Sequence, residues 1–598
     1  MRSGLKRSGR ARLASAVAVG TLVMSVTVAG PASSVVSDCP EIMPADQVQD
    51  GMTGVGYTVA RGTEPVSFEV EILGVQPGGI GPGRDLIVIK AKGPDIRRAG
   101  GIWAGMSGSP VYVDGDLIGA VAYGFSWGPS KIGGVTPAED MADVLDYGDG
   151  TAAAGRVTLS QSMRGRIARE SDRSASEVES SFDQLTLPVS VSGLNRRGAA
   201  RLQRVLNRGQ WPMKVFPGAS AEPAPEGSAA TLEPGSNFAA ALSYGDVTFA
   251  GIGTTTMVCK GYALAFGHPF FFDGDTHMGA SSARAITIVQ DPLFGPYKLA
   301  NVTDLLGTVD QDRWAAIRAD LRDLPELIPI TSSVTALNTS RSRDGQTDAV
   351  TSEPLSYLAY LHLFSNIDSV FDEIGEGSSQ VSWTVTGVDS SGDPWSLTRS
   401  NAFASNWDIS LESGSELFAY LYFLFYNDFE EIEFTGVDVM ATVNDEVRQY
   451  EIIKTLVAKN GGPFKDRREV RVRPGAVLDL RIKLLPYDSA VKKIVNMSLK
   501  VPKSARRSGY IQISGGFGED FFYCLYEDEC GDSGKVDSFD ELLSMLENSP
   551  KNNELRARMR LGRKNVDSAS KVLDQVVGGY DFIRVRLGGD RREKPVGY

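Results

Sequence analysis

Gly105-Met106-Ser107-Gly108-Ser109-Pro110 is the stretch that most limits what this chain can become. Two glycines around a serine make a tight turn that few other residues could follow, and Pro110 favours an extended chain directly after it. A hairpin comes next: Val111-Tyr112-Val113, the two-residue turn signal Asp114-Gly115, and the apolar returning arm Leu117-Ile118-Gly119-Ala120-Val121-Ala122-Tyr123. The Ser107 hydroxyl is thus presented at a loop-to-hairpin junction. The N–H groups of Gly105 and Ser107 supply two donors for one developing oxyanion.

A nucleophilic serine needs a base, and the chain has three histidines. His268 lies in Ala265-Phe266-Gly267-His268-Pro269-Phe270, directly after two strand-like runs, Thr254 to Val258 and Tyr262 to Phe266, joined across Lys260-Gly261. A strand end is a rigid mount for an imidazole. His277 sits in a polar loop, Asp275-Thr276-His277-Met278, and His362 in the apolar run Tyr360-Leu361-His362-Leu363-Phe364. Both are expected to be structural, His362 as a satisfied core residue of a β-run.

G-x-S-G-x-P is the pattern of the nucleophile turn in chymotrypsin-like serine peptidases, and a wider resemblance accompanies it. Residues about 50–145, with Val66 to Leu73, Asp85 to Lys90, GGIWAGMSGSP and LIGAVAYG, resemble the Ser-bearing half of the peptidase family of stage IV sporulation protein B. Residues about 236–330, with Gly253-Thr254, ALAFGHPF, Tyr297-Lys298-Leu299 and Gly307 to Arg313, resemble that family's His-bearing half. In the sporulation protein the His half comes first, behind a PDZ domain; here Ser107 precedes His268. A triad is defined by spatial roles and not by chain order, so the permutation leaves the geometry possible. The resemblance implies a chymotrypsin-like double β-barrel, no cofactor, a protein or peptide substrate, and a narrow, regulatory or self-cleaving activity. The family's catalytic Asp lies just before the GGI segment. The nearest acidic residue here is Asp95, closer to Ser107 than the family spacing, with Asp273 and Asp275 as alternatives.

At 598 residues the chain is too long for one core. Arg2, Lys6, Arg7, Arg10 and Arg12 precede an apolar, small-residue stretch from Leu13 to Ala29, so residues 1–36 are expected to be a secretory signal, or an uncleaved signal anchor of marginal length, and the protein secreted or exposed in the cell envelope. No later stretch is apolar enough over a sufficient length to span a bilayer. Removing the leader takes the formal charge from −13 to about −18, which argues against nucleic acid as a partner. Four cysteines fit an oxidising compartment. Cys524 and Cys530 flank a short acidic loop and are expected to pair, leaving Cys39 with Cys259, although four cysteines allow three pairings. The absence of a C-x-x-C pair and of an H-E-x-x-H helix argues against zinc, and no metal site is assigned.

The expected architecture is mainly β: a Ser-bearing half (37–150), an insert ending in a Pro/Ala linker (151–235), a His-bearing half (236–330), one or two immunoglobulin-like β-sandwich domains (331–515), and a small C-terminal α+β unit with a tail (516–598). Thr136-Pro137-Ala138-Glu139 and Ser538-Phe539-Asp540-Glu541 are capping boxes that open helices. The aromatic run Phe418 to Phe425 is expected to be core. Two functions of different class fit: a serine endopeptidase using Ser107, His268 and Asp95, with Gly105 and Ser107 N–H groups on the oxyanion, or a catalytically silent envelope scaffold with a peptidase-like barrel. An esterase is less favoured, because the G-x-S-x-G elbow needs a parallel sheet that this pattern does not provide.

Overall fold

A computed structural model describes residues 39–125, 129–147, 157–171, 178, 181–208, 213–218, 231–291, 295–516 and 536–588. The expected leader, the Cys524–Cys530 pair and most of the Pro/Ala linker lie outside the described residues.

Six strands close the first barrel: β1 (Thr53–Thr58), β2 (Val66–Gly81), β3 (Arg84–Lys92), β4 (Pro110–Val113), β5 (Asp116–Gly124) and β6 (Ile132–Pro137). Their order is β1-β2-β3-β6-β5-β4, with β4 returning to β1 and every pair antiparallel. Closure pairs every strand on both sides over part of its length, and alternation along each strand decides what fills the inside. On β3, Ile87 and Ile89 enter the barrel core with Ile72, Val111 and Val121, while Leu86 and Val88 face outward beneath another apolar cluster. Asp114 and Gly115 both have positive φ, as the tight β4–β5 hairpin requires. Helix α1 (Pro94–Ala99) precedes the nucleophile turn and α2 (Ala138–Ala142) follows β6. Thr136 does not cap α2 as the sequence suggests. Its hydroxyl reaches instead across to the Gly267 carbonyl, 2.6 Å away, and Pro137 takes the cap position.

Between the barrels lie β7 (Val157–Thr158), α3 (Gln161–Glu170), β8 (Ser181–Gln184), β9 (Leu187–Val191), α4 (Arg196–Arg208) and β10 (Met213–Pro217). This insert divides itself: β8 pairs with β5 of the first barrel, and β9 pairs with β12 of the second.

The second barrel repeats the closure with β11 (Asn237–Gly245), β12 (Phe249–Cys259), β13 (Tyr262–Ala265), β14 (Gly274–Val289), β15 (Tyr297–Asp312) and β16 (Ile317–Asp320). Its order is β11-β12-β13-β16-β15-β14 and back to β11, again antiparallel throughout. The double barrel implied by the resemblance is therefore present. The two barrels share an apolar seam in which Leu117, Ala120, Met141 and Val144 of the first meet Met257, Leu264, Ala315 and Ala316 of the second.

Beyond the barrels, β17 (Ile328–Ala336) and β18 (Arg341–Ala349) lead into α5 (Leu355–Phe371), β19 (Gly377–Asp389), β20 (Pro394–Ser405), α6 (Ile409–Ser413), α7 (Ser415–Phe425) and β21 (Ile432–Asn444). The strands form one sheet, β18-β17-β21-β19-β20, joined to the second barrel through β11. Helices α5 and α7 pack with the apolar residues of this sheet. His362 is thus on a helix and not in a β-run, because a short unbroken apolar run looks the same in either element. Its ring is buried, held by Thr347 Oγ1 at 2.9 Å and Ser332 Oγ at 2.8 Å, so it is a satisfied structural residue. Phe418 to Phe425 falls on α7, with Tyr420, Leu421 and Leu424 in the core. A four-stranded and a five-stranded sheet from residues 449–515 and 554–587 then sandwich Leu478, Leu480, Ile482, Ile513, Ala557 and Val585. The second capping box opens α8 (Phe539–Glu547), where Ser538 Oγ accepts from the Glu541 N–H.

Cys39 and Cys259 form a disulfide that ties the start of the first barrel to the end of β12, across 220 residues. Non-reducing peptide mapping should recover this pair. Replacing both cysteines by serine should lower unfolding stability by about 3–5 kcal/mol, read from denaturant midpoints, because so long a loop is costly to close without the link.

Candidate functional site

The carbonyls of the nucleophile turn are held mainly by donors of the second barrel. Ala104 O accepts from the Lys298 N–H at 2.9 Å and Ser107 O from the Thr254 N–H at 2.8 Å. Gly105 O accepts from Thr254 Oγ1 at 3.0 Å and Gly108 O from Thr256 Oγ1 at 2.8 Å. Within the turn, Met106 O accepts from the Ser109 N–H at 2.8 Å. A trans peptide directs its N–H opposite to its C=O. Fixing the Ala104 and Met106 carbonyls therefore aims the N–H groups of Gly105 and Ser107 away from those bonds, and among the described residues neither N–H finds an acceptor. Two aimed, unused donors beside a serine hydroxyl are what oxyanion stabilisation requires. Gly108 is obligatory: φ is +92°, and a Cβ there would lie 1.9 Å from the Thr254 carbonyl oxygen.

His268 approaches from the end of β13. Phe266 and Gly267 have φ of +70° and +68°, so the chain turns sharply as it leaves the strand; for Phe266 this is a strained conformation held by its surroundings. The turn brings Nε2 to 2.9 Å from Ser107 Oγ. Nδ1 lies 2.8 Å from the Pro269 carbonyl. A carbonyl only accepts, so Nδ1 carries the proton and Nε2 is left free to accept from the serine. Both Ser107 and His268 are fully buried. Burial pulls the imidazole down to about 4, against a smaller opposing effect of the Pro269 carbonyl, so the ring is neutral at physiological pH.

The carboxylates expected to complete a triad are elsewhere. Asp95 stands in the first turn of α1, ion-paired with Arg98. Asp275 binds Arg313 at 2.8 Å, and Asp273 is exposed, its carboxyl pushed up by desolvation. Among the described residues, the ring of His268 is hydrogen-bonded to Ser107 and Pro269 and to none of these three. The backbone carbonyl does one of the two tasks of a triad carboxylate: it fixes the tautomer, but it brings no full negative charge to an imidazolium. His277 is exposed on β14.

Two residues that sequence reasoning passed over position the site. Asp312, at the end of β15, is fully buried and accepts from the N–H groups of Phe270, Phe271 and Phe272 at 2.7, 2.6 and 2.6 Å. It clamps the chain directly after His268-Pro269. Burial raises its carboxyl to about 6 despite those three bonds. It lies inside Gly307 to Arg313, a segment that carried the resemblance, but nothing local in that segment shows which backbone it grips. Lys298 is buried to 1% exposure, with Nζ 2.8 Å from Asn237 Oδ1 and 3.5 Å from Thr254 Oγ1, and desolvation pulls it down to about 7. Its backbone holds Ala104 and its side chain packs beside Gly105, so it braces the oxyanion donors. Among the described residues no cluster of His, Cys, Asp and Glu suits a metal ion.

Residues 23–141 match the model of the SpoIVB peptidase S55 family, a likeness that supports a serine peptidase at family level. The match covers about a fifth of the chain and ends well before His268. No curated protein and no solved structure matches the chain.

The geometry sets two expectations. Because the folded pKa of His268 is depressed, the unfolded chain binds more protons between about pH 6.5 and 4. The stability contributed by burying a neutral ring is therefore complete above that window and is lost as pH falls through it, by about 3 kcal/mol. An NMR titration should place the ring midpoint near 4; a midpoint near 6.5 would contradict this environment. Asp312→Ala leaves three backbone N–H groups without their acceptor and should cost at least ~3 kcal/mol in denaturant unfolding.

Proposed function

We propose that the chain is a secreted or envelope-facing serine endopeptidase with a narrow, regulatory range of substrates, in which Ser107 is the nucleophile and His268 the general base. The observation that carries this reading is the 2.9 Å hydrogen bond from Ser107 Oγ to a His268 ring in the correct tautomer, beside two unused N–H donors. In the first step Oγ bonds to the scissile carbonyl carbon while its proton passes to Nε2. The oxygen that gains charge is met by the Gly105 and Ser107 N–H groups. Nε2 then returns the proton to the leaving amine as the C–N bond breaks, and water repeats the sequence on the ester. With a carbonyl behind the imidazole, the imidazolium intermediate is less stabilised than in a triad, which suits a slow, selective enzyme. No described helix is long and apolar enough to cross a membrane. The acidic leader-free chain and the Cys39–Cys259 bridge support an extracytoplasmic place of action.

Full burial of the dyad favours the silent-scaffold reading unless the site opens. A fluorophosphonate, which reacts covalently only with an activated serine, separates the two. Ser107 should be labelled, Ser107→Ala should not, and Ser109→Ala should still be labelled. His268→Ala should lose as much reactivity as Ser107→Ala, and the double variant no more than either, since the pair acts as a unit. Additive losses, or no label at Ser107 in any sample, would leave the scaffold reading.

A further inference from the structure

A segment of the insert lies against both halves of the buried dyad's surroundings. Strand β5 carries β6 along one edge, since Gly119 pairs with Pro137 and Tyr123 with Gly134. The opposite edge begins with β4, where Gly119 pairs with Val111, and continues into the nucleophile turn, where Val121 bonds both Gly108 and Ser109. The next positions on that edge are taken by the insert: the Leu185 N–H donates to Ala122 O at 3.0 Å, Gln184 pairs with Tyr123 and Asp183 with Gly124. An extended segment therefore starts on β5 one residue beyond the turn that holds Ser107.

From there the segment continues past the residues that flank the dyad. The Gln184 side chain donates to Pro269 O at 2.9 Å, the same oxygen that orients His268. Pro188 packs against Gly105, its Cγ 3.5 Å from where a Cβ would stand, and Leu187 enters the core of the second barrel. The chain from Leu185 to Pro188 thus runs from Ala122 to Gly105, the two sides of a serine and a histidine with no solvent exposure. Peptide substrates bind by adding a strand to a sheet edge, with pockets for alternate side chains. The Leu185 side chain occupies such a pocket. It packs with the first barrel's apolar cluster, which includes Ile102, Trp103 and Met106, and its Cδ2 lies 2.8 Å from the position a Cβ would take on Gly124. The missing side chain at 124 is the space it uses.

The geometry points to Asp183–Thr186 as a tethered occupant of the enzyme's own substrate cleft, with Leu185 in the pocket for the residue before the scissile bond. It follows that the intact chain is self-blocked, and that the opened site takes extended peptides with a leucine-sized aliphatic residue at that position. This rests on the peptidase reading above, so the test must separate the two.

Full-length wild type, Leu185→Asp, Leu185→Met and Ser107→Ala are treated with a fluorophosphonate, and label at Ser107 is followed by mass spectrometry with the intact mass of each sample. An aspartate cannot stay in an apolar pocket, so Leu185→Asp should be labelled at least ~10-fold faster than intact wild type. Leu185→Met, which still fills the pocket, should stay slow, and any cut in wild type that Ser107→Ala lacks should fall between Leu185 and Thr186. Opened enzyme should cleave a peptide after leucine and spare its aspartate counterpart. Gly124→Val gives a second route, since its side chain fills the pocket: label at Ser107 should be fast while cleavage after leucine is lost. Equal labelling of intact wild type and both cleft variants leaves the peptidase intact and overturns the occupied cleft, as does cleavage after a basic or aromatic residue. No label at Ser107 in any sample overturns the peptidase reading itself.

Discussion

The nucleophile turn depends on hydrogen bonds that the barrel containing it does not make. Four of its carbonyls, from Ala104, Gly105, Ser107 and Gly108, are held by Lys298, Thr254 and Thr256 of the other barrel. A turn left without these donors would have buried carbonyls unsatisfied, at a cost of about 1–3 kcal/mol each, and its two aimed N–H groups would lose their fixed direction. Docking of the barrels is thus the condition for the site and not only its setting. The apolar seam, the Cys39–Cys259 link and the bond from Thr136 to Gly267 all serve that docking. His268 is mounted by the same contact, since Gly267 packs against Ala120 and Ala122 of β5.

The electrostatics of the site follow from its burial. A neutral imidazole, a buried lysine pulled toward neutrality and a buried aspartate pushed toward protonation all minimise charge in a closed space. These are properties of the covered state. Water entering the cleft would restore basicity to His268, so covering and reactivity are linked through solvation as well as through access.

Much of this was legible in the chain. The Ser107 turn, its hairpin and the β12–β13 pair before His268 follow from turn chemistry and strand alternation, which are local, and the pairing of Ser107 with His268 came from the choice among three histidines and from the resemblance. What was not legible is long-range or backbone-mediated. Asp95 was the nearest carboxylate along the chain, yet an ion pair with Arg98 engages it, and the role of orienting His268 falls to a backbone carbonyl that no side-chain pattern announces. Asp312 grips N–H groups 40 residues away, and Thr136 spends its hydroxyl on the other barrel instead of on a helix cap. His362 shows the remaining difficulty: five apolar letters fit a helix or a strand, and only the packing against β17 and β18 decides.

The permuted order has a consequence in time. A chain made from its N-terminus releases first the barrel that carries Ser107, then the insert, and only then the barrel that carries His268. The serine emerges with no base beside it, and the base emerges after the segment proposed to occupy the cleft. No stage of synthesis exposes a complete, uncovered dyad. In the opposite order, both halves could have met before anything shielded them, and the growing chain and its neighbours would have been within reach.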